Sequence, residues 1–159
     1  DSSRDEFGTL LQDNFNNDII AMVSRYYELQ KRMIREHEFD ILGHCDLIKK
    51  MNAGNFYFNQ QDTWYQRLTD DFLETAARYG TRIEVNTGAI ARGVTTEVYP
   101  NGQMLRRCGE WGIPLVISAD AHKPENLDFY YPEAFAEVQA SGCRDLEILL
   151  GGRWRKLAD

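Results

Sequence analysis

Apolar residues recur at intervals of three and four between Asn17 and Glu36. Ile19, Ile20, Met22, Val23, Tyr26, Tyr27, Leu29, Met33 and Ile34 fall in one broad stripe. That period predicts an amphipathic helix with Asn17-Asp18 as its cap. A shorter helix opens at Asp5-Glu6-Phe7, so the chain reads as helical up to Glu38. Strands and helices then alternate. Phe39-Asp40-Ile41-Leu42 predicts a short buried strand that runs into Gly43-His44-Cys45-Asp46. A polar loop from Asn52 to Gln61 leads to a helix that starts at Asp62 or Thr63 and stops at Gly80. Arg82 to Asn86 predicts a second strand, followed by a Gly-containing loop from Thr87 to Pro100. Asn101-Gly102 opens a helix that ends near Gly112. A third strand, Ile113 to Ser118, runs into Ala119-Asp120-Ala121-His122. A helix from Pro132 to Ala140 and a last strand, Leu146 to Leu150, precede a basic tail, Arg153-Trp154-Arg155-Lys156.

This alternation implies parallel strands joined by crossover helices, the α/β class. No linker, low-complexity tract or internal repeat divides residues 1–159, so they read as one domain or one continuous part of one. A chain of 159 residues buries roughly 70% of its unfolded surface and supports a real core. At 43% apolar and 12% aromatic, the composition excludes disorder. The apolar runs, such as Pro114-Leu115-Val116-Ile117, fall far short of the ~18–20 residues of a membrane span. A net charge of −7 argues against nucleic acid as a partner. Cys45, Cys108 and Cys143 are an odd number without a CxxC pair, which fits reduced thiols in the cytoplasm. The opening Asp1-Ser2-Ser3-Arg4 carries neither an initiator Met nor a secretory leader, and reads as the interior of a longer polypeptide.

In a parallel α/β fold, functional side chains gather where strands end, at the carboxyl edge of the sheet. Three strand ends here are polar: Gly43-His44-Cys45-Asp46, Glu84-Val85-Asn86-Thr87 and Ser118-Ala119-Asp120-Ala121-His122. Asp120 and His122, two apart on an extended segment, point the same way. They offer a carboxylate and an imidazole to one small volume, as ligands of a divalent Zn, Mn or Fe ion would. The competing reading makes Asp120 a helix cap and His122 a loop residue. His44 is either a third ligand or a hydrogen-bonded loop residue. Asp46 either orients its imidazole or caps a helix. His37, among charged neighbours at a helix end, reads as solvated. Lys49, Lys50 and Arg92 are candidates for gripping a phosphate, or else solvated surface residues. Glu84 and Asn86 share one strand face, which looks either into the site or into structural packing.

Three stretches together resemble the PHP family, and within it the histidinol-phosphatases. They are Phe39 to Lys50, Ile83 to Thr87, and Gly112 to Pro124, with the Gly-His-X-Asp and Ser-Ala-Asp-Ala-His motifs in that order. The resemblance implies a distorted (β/α)7 barrel with two or three divalent metal ions at its mouth and a phosphate monoester as substrate. It makes His44, Asp120 and His122 metal ligands, with Asp120 and His122 catalytic. It places Arg92 and Lys49 or Lys50 at the phosphate. The departure is that the family's opening His-X-His strand is missing, and barrels need ~250 residues. The chain therefore resembles the C-terminal part of such a barrel.

The function expected for the parent protein is metal-dependent hydrolysis of L-histidinol phosphate in histidine biosynthesis, with the isolated chain inactive. Two alternatives stand beside it: a PHP-type phosphoesterase with another substrate, and a non-catalytic fragment that self-associates through the incomplete barrel edge.

Overall fold

The computed structural model describes residues 3–157; Asp1 and Ser2, counted above in the helical opening, lie outside that range. Helix α1 (Arg4–Phe15) starts on a reciprocal cap, in which Glu6 N donates to Ser3 Oγ and Ser3 N to Glu6 Oε2, satisfying two otherwise orphaned donors. The long stripe forms α2 (Ile19–Glu36), capped by Asp18 on Ala21 N at 2.9 Å. It buries Met22, Val23, Tyr27 and Ile34. His37 is its exposed C-cap.

The remaining elements alternate. Strand β1 (Ile41–Leu42) precedes α3 (Thr63–Tyr79), and β2 (Arg82–Asn86) precedes a single turn, α4 (Gly88–Ala91). Then come α5 (Gly102–Trp111), β3 (Leu115–Ser118), α6 (Tyr131–Ala140), β4 (Glu147–Leu150) and β5 (Arg153–Lys156). Helix α3 stops at Gly80 and α5 at Gly112, both left-handed at φ 64°, a conformation that glycine adopts without penalty. Asn101 caps α5 through Met104 N.

The first three strands form one parallel sheet in the order β1-β2-β3, with Leu42 opposite Ile83 and Asn86 opposite Ser118. α3 and α5 are the crossovers, as the alternation predicts. Ile83, Val85 and Leu115 are fully buried in one core with Phe72, Leu73, Met104, Leu105 and Cys108. Because strand side chains alternate, Glu84 and Asn86 lie on the opposite face. They are nonetheless buried there, so that face is covered and needs polar partners.

The chain departs from a fourth parallel strand at its end. Leu146 makes one parallel bridge with Leu115, and Leu115 N donates to Asp145 O at 2.8 Å. The chain then turns away, and β4 pairs antiparallel with β5, which is the stretch read above as a basic tail. Gly151 and Gly152, at φ 59° and 73°, supply the tight two-residue reversal that a hairpin requires. The hairpin is held to the sheet by Arg82, which pairs with Glu147 at 2.5 Å and stacks 4.4 Å from the Trp154 ring. Among the described residues no helix is long and apolar enough to cross a membrane.

Candidate active site

The carboxyl edge of the parallel sheet carries two polar clusters, one after β3 and one after β1. The first gathers around Arg92, at the end of the turn that follows β2. Arg92 Nη1 donates to the Asp120 carbonyl at 3.0 Å and Nη2 to Asp120 Oδ2 at 3.0 Å. The same Nη1 lies 3.1 Å from His122 Nδ1. Three of the sequence candidates thus converge, and each keeps one face toward solvent: the Arg92 and Asp120 side chains are about one-third exposed and His122 is 59% exposed.

Local geometry explains the convergence. Asp120 has φ 45° and His44 φ 29°, a left-handed backbone that costs a non-glycine residue roughly 1 kcal/mol or more. Both lie just past strand ends, where such strain is found around functional groups. Gly88 makes the close approach of the two loops possible. A Cβ there would sit 2.6 Å from Ala119 O, 2.8 Å from Arg92 Nη1 and 3.0 Å from Asp120 Cβ.

A buried polar relay joins this cluster to His44. The His44 backbone N–H donates to Glu84 Oε2 at 2.6 Å, and Asn86 Nδ2 donates to the same oxygen at 3.1 Å. Asn86 Oδ1 in turn accepts from Gly88 N at 2.9 Å, opening the turn that delivers Arg92. Glu84 and Asn86 therefore fasten the ends of β1 and β2 to each other. They act on the backbone of His44, not on its ring.

The second cluster places Lys49 differently from the phosphate role that the resemblance gives it. Lys49 is 5% exposed. Its ammonium donates to Asp46 Oδ2 and to Glu97 Oε1, both at 2.8 Å, and lies 5.0 Å from the Tyr99 ring. Burial works against this charge, but the two carboxylates outweigh it and hold Lys49 above its ordinary range. Burial raises the Asp46 carboxyl in spite of Lys49. Asp46 also accepts from Asn101 N, so it ties the β1 loop to the start of α5 instead of orienting His44. Lys50 is half-buried beside it, lining a cleft of about 300 Å³ with Thr95, Glu97 and Tyr99.

These residues do not make up a metal centre by themselves. Among the described residues, no three His, Cys, Asp or Glu side chains are grouped so as to hold an ion. His44 follows β1 and Asp120 follows β3, two strand spacings or roughly 10 Å across the sheet. One oxygen of the Asp120 carboxylate is already held by a cation of the chain itself. Asp120 and His122 remain a pair of donors, short of the set that a hydrolytic metal needs.

Over 127 residues, 80% of this chain, the sequence is 32% identical to a protein of Deinococcus radiodurans described as a probable histidinol-phosphatase. The aligned residues make up 45% of that relative, so the chain spans less than half of its length. No family model matches the chain. The similarity supports a histidinol-phosphatase-like relationship, in line with the motifs.

Sequence reasoning missed Glu97 and gave Gly88 only as a glycine flanking the Arg92 loop. Glu97, which shares Lys49 with Asp46, lies far along a loop with no periodic signal. Gly88 has a steric role that becomes visible only when the β3 loop is laid against it. The hairpin had a signal, Gly151-Gly152 between a strand and a basic-aromatic run.

Proposed function

We propose that this chain is part of a PHP-type, histidinol-phosphatase-like phosphomonoesterase that hydrolyses L-histidinol phosphate. In that reaction a water oxygen bonds to phosphorus as the ester P–O bond breaks, giving L-histidinol and inorganic phosphate. The observation that carries the reading is the meeting of Arg92, Asp120 and His122 at the carboxyl edge of the sheet. The name of the similar protein supports the same reaction class. Arg92 brings a planar guanidinium, and the donors it does not commit to Asp120 suit phosphoryl oxygens. His122 brings an exposed imidazole able to hold or pass a proton. Divalent ions, Zn, Mn or Fe, belong to the proposal as cofactors of the whole protein. Among the described residues Asp120 and His122 meet only as a pair, so these ions would take their remaining ligands from elsewhere in the whole protein. A cytoplasmic location fits the three buried free thiols.

The test is phosphate release from L-histidinol phosphate by the parent protein, beside a panel of other phosphomonoesters and diesters. His122→Ala is expected to lower turnover at least ~100-fold. Unchanged turnover removes the assignment, and preference for a diester moves it to another substrate class.

A second reading has its own support. The incomplete donor set favours a segment that is non-catalytic when isolated. Strand β1 is two residues long, with its own Ile41 and the preceding Phe39 exposed, and an open sheet edge favours self-association. Turnover and stoichiometric metal in the 159-residue chain alone would defeat this reading.

A further inference from the structure

Arg92 stands in the segment from Thr87 to Val98, and one residue holds both ends of that segment. Asn86 is buried and commits its backbone and its side chain alike. Its N–H donates to Tyr99 O at 2.7 Å and its carbonyl accepts from Tyr99 N at 3.1 Å, which fastens the returning arm. Its Oδ1 accepts from Gly88 N at 2.9 Å, which starts the outgoing arm. Gly88 O then accepts from Arg92 N at 3.1 Å, one turn later. The Asn86 amide is therefore two hydrogen bonds away from the backbone of Arg92.

An amide can face either way, and the wrong way would set an NH₂ group against the Gly88 N–H. Glu84 removes that choice. An ionised carboxylate only accepts, and Glu84 Oε2 takes Asn86 Nδ2 at 3.1 Å. Oδ1 is thereby left for Gly88. The far end of Arg92 needs that precision, because its guanidinium meets Asp120 through two bonds at once, each of 3.0 Å. A planar fork tolerates little tilt of the turn that carries it.

We infer that Asn86 is a positioning residue for Arg92, setting the angle at which the guanidinium meets an anionic ligand, and that Glu84 fixes the sense of the amide that does so. Neither side chain touches the ligand. Both act through the α4 turn. The role rests on the phosphatase reading only in taking a phosphoryl group as the anion. It is measured as phosphate affinity without turnover, so its failure is separate from failure of that reading.

The experiment is calorimetric titration of the 159-residue chain with inorganic phosphate. Asn86→Ala is expected to weaken phosphate binding about 3- to 10-fold, as a charged hydrogen bond loses its alignment. Asn86→Ser keeps a short oxygen able to accept from the N–H two residues on, and is expected to recover part of that loss. In an Arg92→Lys background the cation is a point charge on a flexible stem, and adding Asn86→Ala is expected to cost less than about 2-fold. A residue that merely supports the fold would lower affinity equally in both backgrounds. Circular dichroism checks the fold, and Asn86→Ser replaces Asn86→Ala throughout if the spectrum changes. An equal loss in the Arg92 and Arg92→Lys backgrounds, no loss from the Asn86 variant, or no phosphate binding by the unchanged chain overturns the inference.

Discussion

Replacing Gly88 by alanine adds one methyl group at the place where the β2 and β3 loops touch. That methyl carbon would lie 2.6 Å from the Ala119 carbonyl oxygen, about 0.8 Å inside the 3.4 Å at which ordinary contact begins. The obstructing atom is backbone, so the β3 loop has to move. Overpacking of this kind costs about 1–3 kcal/mol. Against it stands the gain from replacing glycine in a helical turn, about 0.4–1 kcal/mol. The balance is a loss of up to about 2.6 kcal/mol, centred at ~1.3 kcal/mol, or a fall in melting temperature of about 3–5 °C at that centre for a chain of this size. The assay is thermal unfolding followed by circular dichroism. Gly102→Ala is the internal control. It too is the first residue of a helix, but the nearest atom to its added Cβ is the flexible end of Arg106 at 3.8 Å. That variant is expected to be neutral or slightly stabilised. A Gly88→Ala protein as stable as Gly102→Ala would refute the tight packing of the two loops, and with it the geometric basis for Arg92 reaching Asp120.

Lys49→Met is expected to cost about 3–5 kcal/mol in urea unfolding, because it leaves the fully buried Asp46 carboxyl without its main partner. Adding Asp46→Asn should restore part of that loss, and a single-variant cost below about 1 kcal/mol would contradict the buried pair. Alkaline pH provides a third test. Burial is the main cause that pushes the Tyr99 phenol up to about 12 from an ordinary value of 10, and it raises Tyr27 and Tyr65 as well. The unfolded chain therefore releases these protons first, so stability is intact below pH 10 and falls as pH rises from 10 toward 12. Phenolate absorbance from all eight tyrosines appearing near pH 10, with the circular dichroism spectrum intact, would count against that burial.

Much of the fold is legible one residue at a time. Asp18, Asn101, Gly80 and Gly112 mark helix ends by local chemistry alone, since a cap satisfies neighbouring backbone groups and a left-handed glycine stops a helix wherever it stands. The buried runs of β2 and β3 declare themselves by composition. The last strand lies where the sequence puts it, but it pairs antiparallel with β5, because periodicity reports which face is buried and says nothing of which neighbour a strand chooses. The Gly151-Gly152 turn turns β4 back on β5 after a single bridge to β3. The same limit governs the site. Asp120 and His122 are two residues apart, but Asp120 is left-handed (φ 45°) and not extended, so the His122 ring meets the Asp120 backbone carbonyl, and Arg92 joins them across 28 residues of sequence.

By itself, then, the order of residues determined the helix ends, the alternation of strands with helices, and which strand ends carry reactive groups, because each depends on interactions within a few positions. Only the tertiary structure decided that Lys49 is enclosed by Asp46 and Glu97 while Arg92 lies on Asp120. Two lysines and an arginine of equal formal charge look alike along the chain. They differ in which carboxylates the packing of the loops brings within hydrogen-bonding distance, and desolvation then makes one cation structural and leaves another at the solvent edge.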